Sequence, residues 1–223
     1  GGPLPRVDSW SIWNEPNQPA WLSPQLRTLA GMRVPDAPRL YREYADAGFK
    51  ALVSTGHGPS TDTVLIGETA PEGCITRGPG CRYLADDQPI APMLFLEAMY
   101  CVDSNFKPLR GSLAVALHCP RGGDPSAFVK ANPALFDASG YAHHPYSLVL
   151  APNVRFLSTD VGFVSLANLS TLEHALDRIF ATYGVNRQLP IYLTEYGYET
   201  NPPNPIRGIS PQHQAAWLDQ AQY

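Results

Sequence analysis

Hydrophobic positions along this 223-residue chain recur in two alternating rhythms. Short runs that alternate with polar residues, or are apolar throughout, read as strands. Longer stretches with apolar residues three and four apart read as helices. Four strand–helix rounds result. The first strand is predicted over Val7 to Trp13 and its helix over about Pro38 to Ser54. Pro38 near the start and Gly56 just past the end are start and stop signals. Leu40, Tyr44, Ala47, Ala51 and Leu52 are the expected apolar stripe of that helix. The second strand is read at Thr63 to Gly67, with a helix over about Pro92 to Val102. The third covers about Gly140 to His144, with a helix from Leu172 to Tyr183 closed by Gly184. The fourth is Pro190 to Thr194, and a last helix opens at Ser210-Pro211, an N-cap followed by a first-turn proline.

Strands that alternate with helices imply a parallel sheet with right-handed crossovers. An open doubly wound sheet and a closed eight-fold barrel both fit that rhythm. Glycine-rich phosphate turns would favour the open sheet, and none follows a strand here. Each strand instead ends in polar or ionisable groups: Asn14-Glu15, Glu68, His143-His144 and Glu195. A ring of such groups at the C-terminal strand ends favours a (β/α)8 TIM barrel. A barrel needs eight units and four are readable, so residues 1–223 are expected to form about half of one, as a partial catalytic domain. An opening Gly1-Gly2-Pro3 without Met, and an end inside a helix, suit a fragment.

The strand ends carry the chemistry. Along an extended chain, Ser11, Trp13 and Glu15 share one side while Trp10 and Ile12 share the other. Pro16 then stops the strand at Glu15. In the fourth strand Ile191, Leu193 and Glu195 share a face. Two carboxylates on parallel strand ends can point into one cleft. Cleavage of a glycosidic bond needs that pair, one to donate a proton and one to attack or to activate water.

Trp13-Asn14-Glu15-Pro16-Asn17 resembles the Asn-Glu-Pro motif closing the fourth strand of clan A glycoside hydrolases. Leu193-Thr194-Glu195-Tyr196-Gly197 resembles their nucleophile motif at the seventh strand, and the intervening chain supplies the two further units that clan requires. The resemblance spans nearly the whole chain, from the fourth strand to the seventh helix. The spelling around Glu15 and His144-Pro145-Tyr146 is similar to families 39 and 5. It implies a retaining O-glycosidase acting by double displacement on a polysaccharide or glycoside. In that reading Glu15 is the acid/base, Glu195 the nucleophile, and Asn14 a partner of the sugar 2-hydroxyl. His144 and Tyr146 line the cleft, with Tyr146 near the nucleophile. Retention needs carboxyls about 5 to 5.5 Å apart and inversion roughly 6.5 to 9.5 Å.

Other residues extend or rival this picture. Glu68 is a candidate for substrate contact or for orienting the site. Trp21, Tyr196 and Tyr198 are candidate platforms for the apolar faces of sugar rings, while Trp10 and Trp217 are expected to pack between strands and helices. A metal site from His57, His143, His144 and Glu68 lacks the usual ligand spacing, so neither metal nor cofactor is expected. Asn168-Leu169-Ser170 fits a glycosylation acceptor, a pattern too short to carry weight. The rival readings are a non-catalytic carbohydrate-binding protein on the same scaffold and an unrelated metal-dependent barrel hydrolase.

Composition changes the picture in three places. A net charge of −4 without clustered Lys and Arg speaks against nucleic acid or an anionic membrane as partner. No apolar run approaches the ~20 residues that cross a bilayer, so no membrane insertion is expected. The four cysteines fall into two local couples, Cys74 with Cys81 and Cys101 with Cys119. Two disulfides, and hence an extracellular or secreted setting, are the expectation, with four free thiols in a cytosolic enzyme as the alternative.

Overall fold

The computed structural model describes residues 4–29, 31–74, 87–120 and 124–222. In chain order its elements are β1 (Ser9–Ser11), β2 (Leu26–Leu29), β3 (Met32–Pro35), α1 (Ala37–Ser54), β4 (Thr63–Thr69) and α2 (Pro92–Met99). There follow α3 (Gly111–Ala116), α4 (Pro125–Ala131), α5 (Pro133–Asp137), β5 (Gly140–His143), α6 (Ser170–Thr182), β6 (Ile191–Leu193) and α7 (Pro211–Gln220). A 3₁₀ turn at Leu166–Asn168 precedes α6. The expected strand–helix rounds are all present, as a mixed α/β fold around a four-stranded parallel sheet.

Spatial order in that sheet is β1-β4-β5-β6, so successive parallel strands lie side by side with no reversal. Alternation along β4 sends Val64 and Ile66 into the main core with Tyr41 of α1, Phe95 of α2 and Phe180 of α6. Leu65, facing the other way, is buried outside that cluster. Phe128, Phe136 and Tyr183 close the core with ring centroids 4.9 to 5.9 Å apart. The outer strand β6 is different in kind: Tyr192 and Leu193 are 39% and 46% exposed.

Four details depart from the sequence reading. First, β1 stops at Ser11, because Trp13 and Glu15 adopt φ of +72° and +39°. Trp13 therefore swings out of the Ser11–Glu15 side and meets Tyr44 of α1 at 5.6 Å. Second, α1 buries Ala37, Tyr41, Ala45 and Phe49 with Arg42 and Asp46, while Tyr44, Ala47 and Ala51 are exposed. Of the expected stripe, Leu40 and Leu52 pack against the core and the other three do not, because two core-facing positions are charged. Each has an internal partner: Arg42 Nη1 donates to the Met99 carbonyl at 2.9 Å, and Asp46 accepts from the Ala134 amide at 3.0 Å. Third, the antiparallel β2–β3 pair and the short helices α3 to α5 had no sequence counterpart. Fourth, α2 ends at Met99, and Cys101 follows with φ +57°.

Ser210 caps α7 through its hydroxyl, accepting from the His213 amide at 3.1 Å as expected. Cys101 and Cys119 form a disulfide with Cα atoms 5.7 Å apart. The Cys74–Cys81 expectation lies outside the described residues, since Cys81 falls within 75–86. Among the described residues no helix is long and apolar enough to cross a membrane. The Asn168 amide is turned inward, donating to the Phe163 carbonyl at 2.9 Å.

Candidate active site

All four parallel strands send a polar group to the same point at their C-terminal ends, and a bulge in β4 makes this possible. Gly67 pairs with Ala142 and Thr69 with His143, so Glu68 is an extra residue with no partner in the ladder. Bulges of this kind re-aim a side chain. Gly67 sits at φ +101°, and a Cβ there would lie 2.7 Å from the Ala142 carbonyl oxygen, so the bulge requires glycine. Tyr41 of α1 holds the distortion. Its hydroxyl accepts from the Gly67 amide at 2.6 Å and donates to the Ile12 carbonyl at 3.0 Å. The Glu15 amide in turn donates to the Glu68 carbonyl at 2.9 Å. Asn17, fully buried, accepts from the Ala70 amide at 2.8 Å and donates to the Ala70 and Ile90 carbonyls at 3.1 and 3.0 Å. The loop bearing Glu15 is thus tied to the end of β4.

Glu68 is the floor of the site, with its side chain 5% exposed. Ser11 donates to its Oε1, while Thr194 and the His144 Nε2 donate to Oε2, the imidazole at 2.7 Å. Burial disfavours its charge, but the bonds from His144, Ser11 and Thr194 outweigh that and hold the carboxyl below its usual range. His144, 1% exposed, stands between three carboxylates. Its Nδ1 lies 3.0 Å from Glu15 Oε1 and 3.4 Å from Glu195 Oε2. Burial pulls the imidazole down, yet Glu15, Glu68 and Glu195 together lift it to about 9.

One carboxylate oxygen of Glu15, one of Glu195 and an imidazole nitrogen of His144 lie within 4.8 Å of one another. Glu15 is 19% exposed and Glu195 45%. Both line a cavity of about 580 Å³, together with Tyr146, Tyr198, Glu72 and Arg207. The Tyr146 hydroxyl donates to Glu195 Oε2 at 3.1 Å. Burial first, and then this bond to a carboxylate, pushes the phenol up to about 12. Arg207, also in the lining, pairs with Glu72 at 2.8 Å.

Among the sequence-predicted residues, Glu15, Glu195, His144, Tyr146 and Glu68 are brought together. Glu68 and His144, the latter expected to line the cleft, are both buried beneath the cavity instead of lining it. Tyr196 backs the wall, stacked on Tyr146 at 6.3 Å and sharing a 2.8 Å hydrogen bond with Tyr198. Asn14 is half-buried beside Glu15 and, like Trp21, does not line the cavity. Trp21 is 52% exposed, and its carbonyl accepts from the Trp13 indole at 3.0 Å. The histidine cluster weighed as a metal site is dispersed. His57 pairs with Asp62 before β4, and His143 Nε2 donates to the Val164 carbonyl at 3.0 Å with its pKa pushed by burial to about 4. Glu15, His144 and Glu195 are close enough to surround a cation, but both imidazole nitrogens face carboxylates as N–H donors, so no metal is assigned. Ser11, Thr194, Glu72 and Arg207 were not singled out from the sequence; only alternation from Glu15 back to Ser11 pointed at any of them.

Comparison with protein-family models, curated proteins and solved structures finds no match to this chain.

Proposed function

We propose that this site belongs to a retaining O-glycosidase that cleaves by double displacement, with Glu195 as nucleophile and Glu15 as acid/base. The observation that carries the reading is the approach of the two carboxylates, oxygen to oxygen within 4.8 Å, at the mouth of one cavity. That spacing is nearer the ~5–5.5 Å of a retaining pair than the ~6.5–9.5 Å of an inverting one. Glu195, the more open of the two, would attack the anomeric carbon while Glu15 gives a proton to the departing oxygen. Glu15 then takes a proton from water as that water releases the sugar. The sheet is read here as half of an eight-stranded barrel, supported by its unreversed strand order and by functional groups confined to the C-terminal ends.

The lining also speaks about substrate. Glu15, Glu72, Glu195 and Glu199 face the cavity, and its arginine is already paired. A neutral glycoside suits such a wall better than a uronate or a sulfated sugar. The Cys101–Cys119 bridge supports an oxidising, secreted setting. The test is a screen of the full chain on aryl glycosides and neutral polysaccharides, with Glu15→Gln and Glu195→Gln as controls. A fluorinated glycosyl donor should label Glu195. Label on another residue overturns the assignment, and sugar binding without turnover would return the chain to the carbohydrate-binding class.

A further inference from the structure

We propose that His144, held by Glu68, stores the proton used at Glu15, so that the Nδ1 proton facing Glu15 is the one delivered to the leaving group. This rests on the glycosidase reading and concerns a step that reading leaves open. A buried imidazolium beside an acid/base carboxylate normally opposes protonation of that carboxylate. Here the two groups face each other at 3.0 Å, and one proton can sit on either. With Glu68 accepting from Nε2 at 2.7 Å, the imidazole keeps its Nε2 proton when Nδ1 gives its own away. The neutral tautomer left behind then has its lone pair aimed at Glu15.

The cycle balances. In the first half-reaction the Nδ1 proton moves to Glu15, and the Glu15 proton passes to the glycosidic oxygen. Glu195 bonds to the anomeric carbon as the carbon–oxygen bond breaks. In the second half, Glu15 takes a proton from water and returns it to Nδ1, while the water oxygen displaces Glu195. Glu68 and His144 act through Glu15 and touch no substrate; they are positioning residues.

Groups on every neighbouring element bear on this charge. Glu15 approaches from the loop after β1, Glu68 from β4, and Glu195 with Tyr146 from the loops after β6 and β5. His143 lies behind and is kept neutral by burial. Ser11 and Thr194 donate to Glu68 and help hold it ionised, while burial and the nearby Glu68 charge keep the phenols of Tyr41 and Tyr141 neutral. Three carboxylates against one imidazole fix the sign of the balance, in keeping with an imidazolium persisting to about pH 9.

The test combines histidine ¹⁵N NMR on the full chain with pH–rate profiles. His144 is expected to be cationic at neutral pH and to titrate near 9. Glu68→Gln removes the charge while keeping an acceptor, and should lower that titration by about one unit or more. The alkaline limb of kcat/KM should follow, so that a one-unit shift costs the variant about twofold at pH 8, about fivefold at pH 9 and little at pH 5. Should Glu68→Gln fail to fold, Glu15→Gln removes the facing charge and should move the His144 titration in the same direction. A neutral His144 at pH 7, a titration unmoved by both variants, or an alkaline limb that stays while the imidazole shifts overturns the proposal. Failure of the glycosidase reading is separately visible: His144 would titrate as described while no glycoside is turned over, which removes the step and leaves only a paired charge.

Discussion

The two candidate catalytic carboxylates are held in opposite ways. Glu15 is mostly shielded and fixed from below by His144, Glu68 and the Tyr41-pinned bulge. Glu195 stands 45% exposed after β6, a strand with one neighbour among the described residues, and receives only Tyr146 and a longer approach from His144. Proton transfer is steep in distance and depends on neighbouring charge, so an acid/base gains from a rigid, buried floor. A nucleophile has to advance on carbon and then release it, which a presented, lightly held side chain allows. The difference gives each carboxylate its own vulnerabilities.

The largest expected effect separates the pair by leaving group. Glu195→Gln should reduce turnover at least about 10⁴-fold on every glycoside, since no covalent intermediate forms. Glu15→Gln should approach that only for poor leaving groups and be about 10²-fold milder for activated aryl glycosides, which depart unprotonated. Steady-state rates across a leaving-group series check this, and equal losses for both variants would break the comparison. Next in size is Tyr41→Phe, which strips partners from the buried Gly67 amide and Ile12 carbonyl. A loss of about 2 kcal/mol in urea denaturation is expected, with activity falling alongside as the floor loosens. Tyr146→Phe touches only the exposed side. It should leave the urea midpoint unchanged and lower kcat about tenfold, the worth of a hydrogen bond to a charged group.

The smallest effect lies at the opposite end of the sheet. Burial disfavours the Asp62 charge, but hydrogen bonds from His57, Arg6 and Trp10 outweigh it and hold the carboxyl well below the usual range. A depressed folded-state pKa contributes stability that is complete above about pH 4 and is lost as pH falls below it. Asp62→Asn should therefore lower stability modestly at neutral pH and flatten the acid limb of the stability curve. Thermal melts from pH 2 to 7 test this, and kcat at pH 7 should stay near wild type.

Much of this was readable from residue order, and the failures share a cause. The strands were found because Thr63–Gly67 and Pro190–Thr194 are locally unambiguous. Glu15 and Glu195 were found because each sits in a run whose neighbours repeat a known pattern. The face of α1 was misjudged because Arg42 and Asp46 are satisfied by carbonyls and amides far away in sequence, which hydropathy cannot register. The short helices α4 and α5 open on Pro125 and Pro133 as first-turn residues and span too few residues for a helical period to show. Glu68 was singled out, yet its place beneath the cavity was not foreseeable. A bulge is a mismatch in register between two strands, and neither strand spells it alone.

That mismatch makes chain length itself a chemical variable at β4. Deleting one residue between Gly67 and Thr69 would restore an even ladder with β5 and remove the anion under the imidazole, with every other side chain intact. Libraries of substitutions, however complete, hold length constant and would never sample this change. A single-codon deletion scan through the strand would find it first.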